Sequence, residues 1–251
     1  SPDQRHIATS KIRPGSDSLW LIEVERGVAT PFTPIPGTSG FPVWSPDSRT
    51  VVYYLFPSRN LYRKDANGAG AEQRLTESPD VQFPSDWSRD GRSILYGNFA
   101  AGGQRDLWVL PMTPEGTVAA GAKAHPYMLT PDLEWLGRFS PEEPPRRVAY
   151  QSNKSGQSEV YIDLFPQPRG GKQISKGGGT CPQWGAEGRE LFYVSPDFKL
   201  MVVSLKLTGD SVEPSDPQEL FPLPGVDSGL CPYDTSSDGK SILVRAPPER
   251  G

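Results

Sequence analysis

Few side chains in this sequence of 251 residues have the types and spacing that acid–base or nucleophilic chemistry requires. The two histidines, His6 and His125, are far apart in the sequence, and no Gly-x-Ser-x-Gly segment supplies a nucleophile for either of them. Four carboxylates could suggest a metal site or an acid–base pair, but each stands in a short turn, where such side chains accept hydrogen bonds from backbone amides. These carboxylates are Asp47, Asp90, Glu187 and Asp238. The sequence therefore predicts no catalytic residue, no metal site and no cofactor, and it predicts that the chain is not an enzyme.

The two cysteines, Cys181 and Cys231, are each followed by proline and occupy the same place in consecutive copies of a sequence repeat. A disulfide would require their α-carbons to lie within about 7 Å of each other, which neighbouring strands seldom achieve. Two small apolar thiols are therefore the simpler interpretation, and a disulfide is the alternative. A zinc site is not expected, because two cysteines without further ligands nearby cannot complete one.

The repeat that positions these residues is best seen in Trp44-Ser45-Pro46-Asp47-Ser48-Arg49, which is followed by an apolar strand. The acidic residue of each copy stands at position 3, 47, 90, 142, 187 or 238, so successive copies are 44, 43, 52, 45 and 51 residues apart. A period in the forties is typical of the four-stranded blade of a β-propeller. The sequence thus predicts an all-β fold of four-stranded antiparallel blades, with six blades preferred and five as the alternative.

The repeat also divides the chain into blades within a single domain, residues 1–251. The predicted blade units are 1–33, 41–76, 84–130, 136–175, 181–221 and 231–246. Two long gaps have a simple cause, because 111–126 and 206–217 are expanded hairpins within their blades. The aromatic members of the repeat should fill the gaps between blades, where large rings bury the most area. The structural residues of the repeat are Trp44, Asp47, Trp87, Asp90, Phe139, Trp184, Glu187, Tyr233 and Asp238.

Composition and charge exclude two classes of partner. The net charge is −4 and the isoelectric point about 5.3, whereas nucleic-acid binding needs a basic surface. No run of 18 apolar residues predicts a membrane span, and the first residues lack the pattern of a signal peptide. Residue 1 lies inside a copy of the repeat, so we expect the chain to be a piece of a longer protein. We also expect it to be a monomer.

The Trp-Ser-Pro-Asp-(Gly/Ser) hairpin followed by an apolar strand resembles the TolB-type, WD-repeat-like β-propeller repeat. Residues 150–204 and the closing segment 233–239 are similar to the C-terminal propeller of bacterial membrane-bound serine/threonine kinases. That resemblance implies an extracytoplasmic or periplasmic domain that senses or binds a partner. The kinase motifs themselves are absent, since the sequence has no His-Arg-Asp or Asp-Phe-Gly segment.

Binding should reside in the loops, because exposed loops on a rigid scaffold usually carry it. The charged loop residues are Lys11, Arg13, Arg59, Arg105 and Lys154 on B–C loops, and Glu77, Asp80, Asp132, Glu134 and Asp227 on D–A loops. The candidate binding mouth consists of Phe41, Phe83, Trp135, Arg138, Cys181 and Cys231. We therefore expect a non-catalytic sensor or binding module for a protein or small molecule. The alternatives are the propeller of a prolyl-oligopeptidase-like hydrolase and a free periplasmic TolB-like scaffold.

Overall fold

The computed structural model describes residues 1–11, 18–33, 38–224 and 231–246. The chain divides into two compact units, Ser1–Pro131 and Asp132–Gly251. Within the described ranges every regular element is a β-strand, and no helix there is long and apolar enough to span a membrane. Two of the predicted loop charges, Arg13 and Asp227, lie outside the described residues.

The first unit contains three antiparallel sheets whose strands pair in chain order. Sheet 1 consists of β1 (His6–Lys11), β2 (Ser18–Glu23) and β3 (Ala29–Pro31). Sheet 2 consists of β4 (Thr38–Trp44), β5 (Thr50–Phe56), β6 (Asn60–Asp65) and β7 (Gln73–Arg74). Sheet 3 consists of β8 (Val81–Trp87), β9 (Ser93–Phe99), β10 (Arg105–Pro111) and β11 (His125–Met128).

The described residues of the second unit also form three antiparallel sheets, in which the strands pair in chain order with one exception. Sheet 4 consists of β12 (Glu134–Phe139), β13 (Arg147–Ser152), β14 (Glu159–Leu164) and β15 (Lys172–Gln173). Sheet 5 consists of β16 (Thr180–Trp184), β17 (Glu190–Val194), β18 (Lys199–Thr208), β19 (Ser211–Pro214) and β20 (Gln218–Pro222). The exception is β20, which pairs with β18. Sheet 6 consists of β21 (Tyr233–Thr235) and β22 (Ile242–Val244). The predicted all-β fold with four-stranded antiparallel sheets is confirmed, whereas the blade count and the single domain stay predictions.

A serine and an aspartate close the turn between the first two strands of a sheet. In sheet 3, the Ser88 hydroxyl donates to Asp90 Oδ1 at 2.6 Å and accepts from the Ser93 amide at 3.0 Å. Asp90 Oδ1 also accepts from the Arg92 amide at 3.0 Å. Equivalent bonds surround Asp3, Asp47 and Asp238. Because Ser88 is fully buried, its two bonds replace water at a point where the backbone would otherwise be unsatisfied.

The two glutamates of the repeat behave differently from the aspartates. Glu142 forms an ion pair with Arg147, whose side chain is only 3% exposed, at 3.1 Å. Glu187 is exposed, and Gly185 stands where the other turns have serine. Glu142 therefore has an arginine as its partner. The turn that contains Glu187 lacks the hydrogen bonds that the serine side chain makes in the other turns.

The tryptophans of the repeat pack one sheet against the next within each unit. Trp87 of sheet 3 shares a buried cluster with Leu61 of sheet 2. Trp184 of sheet 5 shares one with Ile162 of sheet 4, in the second unit. The other aromatic members of the repeat are Phe139 and Tyr233, which are buried, and Trp44, which is partly buried. Large rings at these places bury apolar area between neighbouring sheets.

A tyrosine on the second strand of four sheets is almost completely buried. These residues are Tyr53, Tyr96, Tyr150 and Tyr193. Burial raises the pKa of each phenol, and that of Tyr193 is raised to about 12. The Tyr53 hydroxyl donates to Glu72 Oε1 at 2.8 Å, so its proton is held in place. Because the unfolded phenol ionises near pH 10, the folded state loses stability as the pH rises above that value.

We predict that Tyr193→Phe flattens the dependence of stability on alkaline pH. The folded pKa of Tyr193, about 12, exceeds the unfolded value of 10.0, so its contribution is complete below pH 10 and is lost as the pH rises towards 12. One proton changes the slope by at most about 1.4 kcal/mol per pH unit. Urea unfolding at several pH values between 9 and 12 measures both slopes. Parallel curves for the variant and the wild type would contradict the prediction.

Candidate functional site

Four aromatic rings of the first unit form a connected surface, which we call the aromatic surface. The ring of Phe83 lies 4.6 Å from that of Phe41, 4.9 Å from that of Tyr54 and 5.0 Å from that of Phe99, measured between centroids. All four rings are partly buried. Two predicted members of the binding mouth, Phe41 and Phe83, are thus in contact, and two further rings join them.

The strand arrangement explains why these four rings meet. Phe41 and Phe83 lie on the first strands of sheets 2 and 3, whereas Tyr54 and Phe99 lie near the ends of the second strands. Antiparallel pairing brings the start of one strand beside the end of the next. Gly97 leaves room on this face, since a Cβ atom there would lie 3.1 Å from the Phe99 ring. The surface therefore belongs to one end of both sheets.

A backbone irregularity turns Phe41 out of the regular strand alternation. Its φ is +56°, a left-handed conformation that is uncommon for a residue with a side chain, and the register of β4 shifts around it. Leu136 and Cys181 have φ values of +54° and +55° at bulges in β12 and β16. β-bulges of this kind redirect a side chain and are frequent beside functional sites. The sequence gives no sign of these bulges, because none of the three residues is glycine.

Arg105 adds a positive charge to the aromatic surface. Its guanidinium carbon lies 4.8 Å from the centroid of the Phe99 ring, within the range of a cation–π interaction. Arg105 is the first residue of β10 and pairs with Phe99 across the strands, so the backbone fixes the two side chains side by side. The residue itself is exposed. Aromatic rings and an arginine together can recognise an apolar or aromatic group that carries a negative charge.

Cys181 and Cys231 form a disulfide in the second unit, so the interpretation as two free thiols is wrong. Their α-carbons are 5.5 Å apart, well within the limit for a bridge. Both cysteines pack in a buried cluster that includes Tyr233, whose hydroxyl donates to the Cys181 carbonyl oxygen at 2.8 Å. The bulge at Cys181 and the packing around Tyr233 bring together two residues that are 50 positions apart, which sequence spacing alone does not reveal.

Trp135 and Arg138 lie on β12 in the second unit, one on each side of the bulge, and both are partly buried. The carbonyl oxygen of Arg138 accepts a hydrogen bond from the Trp184 ring at 3.0 Å. Burial raises the pKa of Tyr233 well above its usual value, and the charge of Arg138 opposes that effect. That the predicted residues of the two units form one binding mouth stays a prediction.

Lys154 lies in the loop between β13 and β14, as predicted, and its charge has partners within the second unit. Its ammonium donates to the Tyr150 hydroxyl at 3.1 Å and to the Gly170 carbonyl oxygen at 2.6 Å, and it lies 3.9 Å from the centroid of the Tyr161 ring. Burial lowers the pKa of Lys154, and the nearby carboxylate of Asp163 opposes this shift. Tyr150 and Tyr161 are paired across β13 and β14, which makes the aromatic face that holds the ammonium.

The carboxylates of the described residues do not assemble into a metal site. No group of three or more histidine, cysteine, aspartate or glutamate side chains there could hold a metal ion. His6 stacks beside Trp44, with the ring centroids 6.3 Å apart, and His125 lies in β11. In the part of the chain that the structure describes, the aromatic surface brings together Phe41 and Phe83, two residues of the predicted binding mouth.

Two of the curated proteins with sequences similar to this chain come from bacteria. The uncharacterized peptidase YuxL of Bacillus subtilis is 32% identical over 83 residues, which are 32% of this chain and 12% of YuxL. The uncharacterized protein Atu1656 of Agrobacterium fabrum is 26% identical over 219 residues, which are 77% of this chain and 67% of Atu1656. The chain thus matches only a small part of the peptidase. No family model matches the chain.

Solved structures with the same fold over nearly the whole chain include the following three. TolB from Acinetobacter baumannii has a TM-score of 0.71 at 17% identity, covering 96% of this chain and 58% of TolB. An oligogalacturonate lyase in complex with manganese has a TM-score of 0.63 at 14% identity, covering 98% of this chain and 69% of the lyase. The periplasmic gluconolactonase PpgL of Pseudomonas aeruginosa has a TM-score of 0.58 at 17% identity, covering 94% of this chain and 74% of PpgL. The fold is therefore a TolB-like β-propeller.

The prediction that this chain is not an enzyme is contradicted by these comparisons. A peptidase is among the proteins with similar sequence, and a lyase and a gluconolactonase are among those with the same fold. The prediction relied on missing motifs of serine hydrolases and kinases, but a fold can host chemistry that uses neither. The lack of a Gly-x-Ser-x-Gly segment thus does not exclude catalysis.

We predict that replacing both cysteines, Cys181→Ala with Cys231→Ala, lowers the free energy of unfolding by roughly 3–5 kcal/mol. The bridge closes a loop of about 50 residues, and a loop of that length restricts the unfolded chain by this amount. Urea unfolding with and without a reducing agent measures the effect. The reducing agent should weaken the wild type and leave the double variant unchanged. Equal free energies of unfolding for the variant and the disulfide-bonded wild type would contradict the prediction.

Proposed function

We propose that this β-propeller is a binding module whose partner docks on the aromatic surface around Phe83. The observation that carries the proposal is the contact of four partly buried rings with the exposed Arg105 at one end of two sheets. Aromatic residues and arginine are enriched at the centres of protein interfaces, where they supply most of the binding energy. The partner we propose is a protein that inserts an apolar side chain next to an acidic one.

The rigid scaffold supports this proposal. The rings are held by strands whose turns are closed by buried serine bonds, so little conformational entropy is lost when a partner binds. The rings of Tyr54 and Phe83 pack against one another, with their centroids 4.9 Å apart. Preorganised rings of this kind allow affinity without rearrangement of the backbone.

We further propose that the module works on the extracytoplasmic side of a bacterial cell, as the sensor of a membrane-bound serine/threonine kinase. The disulfide between Cys181 and Cys231 supports the compartment, because disulfides persist in oxidising environments and are rare in the cytosol. The gluconolactonase with the same fold is a periplasmic protein. The kinase context is supported by the resemblance of residues 150–204 to kinase propellers.

We predict that Arg105→Ala weakens partner binding by roughly tenfold or more, the loss typical of a residue at the centre of an interface. Peptides that bind the wild-type chain are selected from a displayed random library, and the tightest is synthesised with a fluorescent label. Fluorescence anisotropy then gives its affinity for the wild type and for Phe83→Leu and Arg105→Ala.

Two matched variants control for general effects. Arg89→Ala removes another exposed arginine of the first unit, and Phe198→Ala removes a phenylalanine of the second unit that is 50% exposed. Both should bind the peptide as the wild type does. If Arg105→Ala and Phe83→Leu keep full affinity while their unfolding curves show a folded protein, the aromatic surface is not the binding site.

A second function is favoured by the similarity to YuxL, which is a peptidase. We propose as the alternative that this chain is the propeller of a prolyl-oligopeptidase-like hydrolase. The coding sequence on both sides of the chain distinguishes the two proposals. A kinase domain and a membrane span upstream support the sensor, whereas a downstream domain with a Gly-x-Ser-x-Gly segment supports the hydrolase and contradicts the sensor.

A further inference from the structure

A groove of about 500 Å³ runs between two edge strands of the second unit, far along the chain from the aromatic surface. One wall is β15 with the residues that follow it, 172–176, and the other is β19 with the next residue, 212–215. The volume lies in the range of pockets that bind ligands. The aromatic surface belongs to the first unit, so this groove is a separate feature.

The floor of the groove is apolar and the walls are polar. Ile174 is 2% exposed and belongs to a buried cluster against which Val212 packs from the other wall. Lys172, Lys176 and Glu213 are exposed along the walls. An apolar floor between polar walls fits a chain segment whose side chains alternate, with one set facing the floor and the other facing solvent.

Both walls have a free backbone edge. Within the described residues, β15 pairs only with β14, and β19 pairs only with β18. The edge of a sheet offers a row of unpaired N–H and C=O groups to another extended chain. Adding a strand to such an edge is an established way for proteins to bind peptides.

The charges along the groove are paired except at one lysine. Lys176 Nζ lies 2.5 Å from Asp216 Oδ1, and Lys206 Nζ lies 3.0 Å from Glu213 Oε2. Among the residues that the structure describes, Lys172 has no such carboxylate partner. A ligand that brings a carboxylate to Lys172 would give this lysine an ion pair like those of Lys176 and Lys206.

We propose that this groove binds an extended peptide segment of a partner protein as an added β-strand. The segment has apolar side chains at alternate positions, which contact Ile174 and Val212, and an acidic residue that pairs with Lys172. Backbone hydrogen bonds to β15 or β19 supply affinity, and the floor and the lysine supply specificity. This site is additional to the aromatic surface and does not depend on it.

The test uses three fluorescein-labelled octapeptides and the complete chain. In the first peptide valine alternates with threonine, and one central threonine is replaced by glutamate. The second has lysine in place of the glutamate, and the third is the glutamate peptide with N-methylated valines. Anisotropy titrations of each peptide with up to about 1 mM of the protein measure the affinities. The wild type should bind the glutamate peptide in preference to the lysine peptide, and it should not bind the N-methylated peptide.

Charge reversal identifies the lysine. Lys172→Glu should weaken binding of the glutamate peptide by roughly tenfold or more, because like charges repel across an interface. The same variant should bind the lysine peptide more tightly, because opposite charges then face each other. Lys123→Glu changes another exposed lysine, of the first unit, and should leave both affinities unchanged. Val212→Tyr, which fills the floor, should weaken binding of both peptides, and Arg105→Ala should weaken neither.

Three results would overturn the proposal. The first is that neither the glutamate peptide nor the lysine peptide binds the wild type in this range of concentration. That result would mean that Lys172 only protects the sheet edge from pairing. The second is that the glutamate and lysine peptides bind the wild type equally. The third is that Lys172→Glu and Lys123→Glu, both with unchanged thermal unfolding, have the same affinities.

Discussion

The structure depends above all on the serine hydroxyl that closes the first turn of sheets 2, 3, 4 and 6. In sheet 3 this hydroxyl joins the Asp90 carboxylate to the Ser93 amide, so the residue that follows β8 and the first residue of β9 are held at a fixed offset. A slip by one residue would turn every side chain of a strand to the opposite face. The fixed register is therefore what places Trp87 and Tyr96 in the core and Phe83 and Phe99 together at the end of the sheets.

The same register leaves two kinds of surface available for binding. At the end of sheets 2 and 3, a bulge in β4 turns Phe41 towards the other rings, at the cost of a left-handed backbone. At the outer edge of sheets 4 and 5, the extension of β18 to Thr208 creates the hairpin that forms one wall of the groove. Both features are local departures from a regular repeat, and such departures are where function is found on folds that serve many purposes.

The period of the repeat was enough to predict strands, turns and the propeller fold, because each copy carries its own turn and apolar strand. The expansion at 206–217 was predicted from spacing alone, but its pairing into β19 was not. The disulfide was missed because Cys181 and Cys231 meet only through packing between elements 50 residues apart. The loop position of Lys154 was predicted but its contacts were not, because two tyrosines on neighbouring strands hold its ammonium. Catalysis was excluded because the sequence lacks the motifs of serine hydrolases and kinases. Such motifs identify only the enzyme families in which they occur, so their absence does not exclude other enzymes.

Amide hydrogen exchange, measured by NMR on the wild type and on Ser88→Ala, tests most directly whether the serine turn fixes the register of a sheet. The amides of Arg92 and Ser93 should exchange slowly in the wild type, because each donates to a side chain of the turn. In Ser88→Ala we expect faster exchange at Ser93 and throughout β8 and β9, together with changed chemical shifts at Phe83 and Phe99. Wild-type exchange in β8 and β9 of the variant would show that the strands keep their register without the turn and would contradict this account.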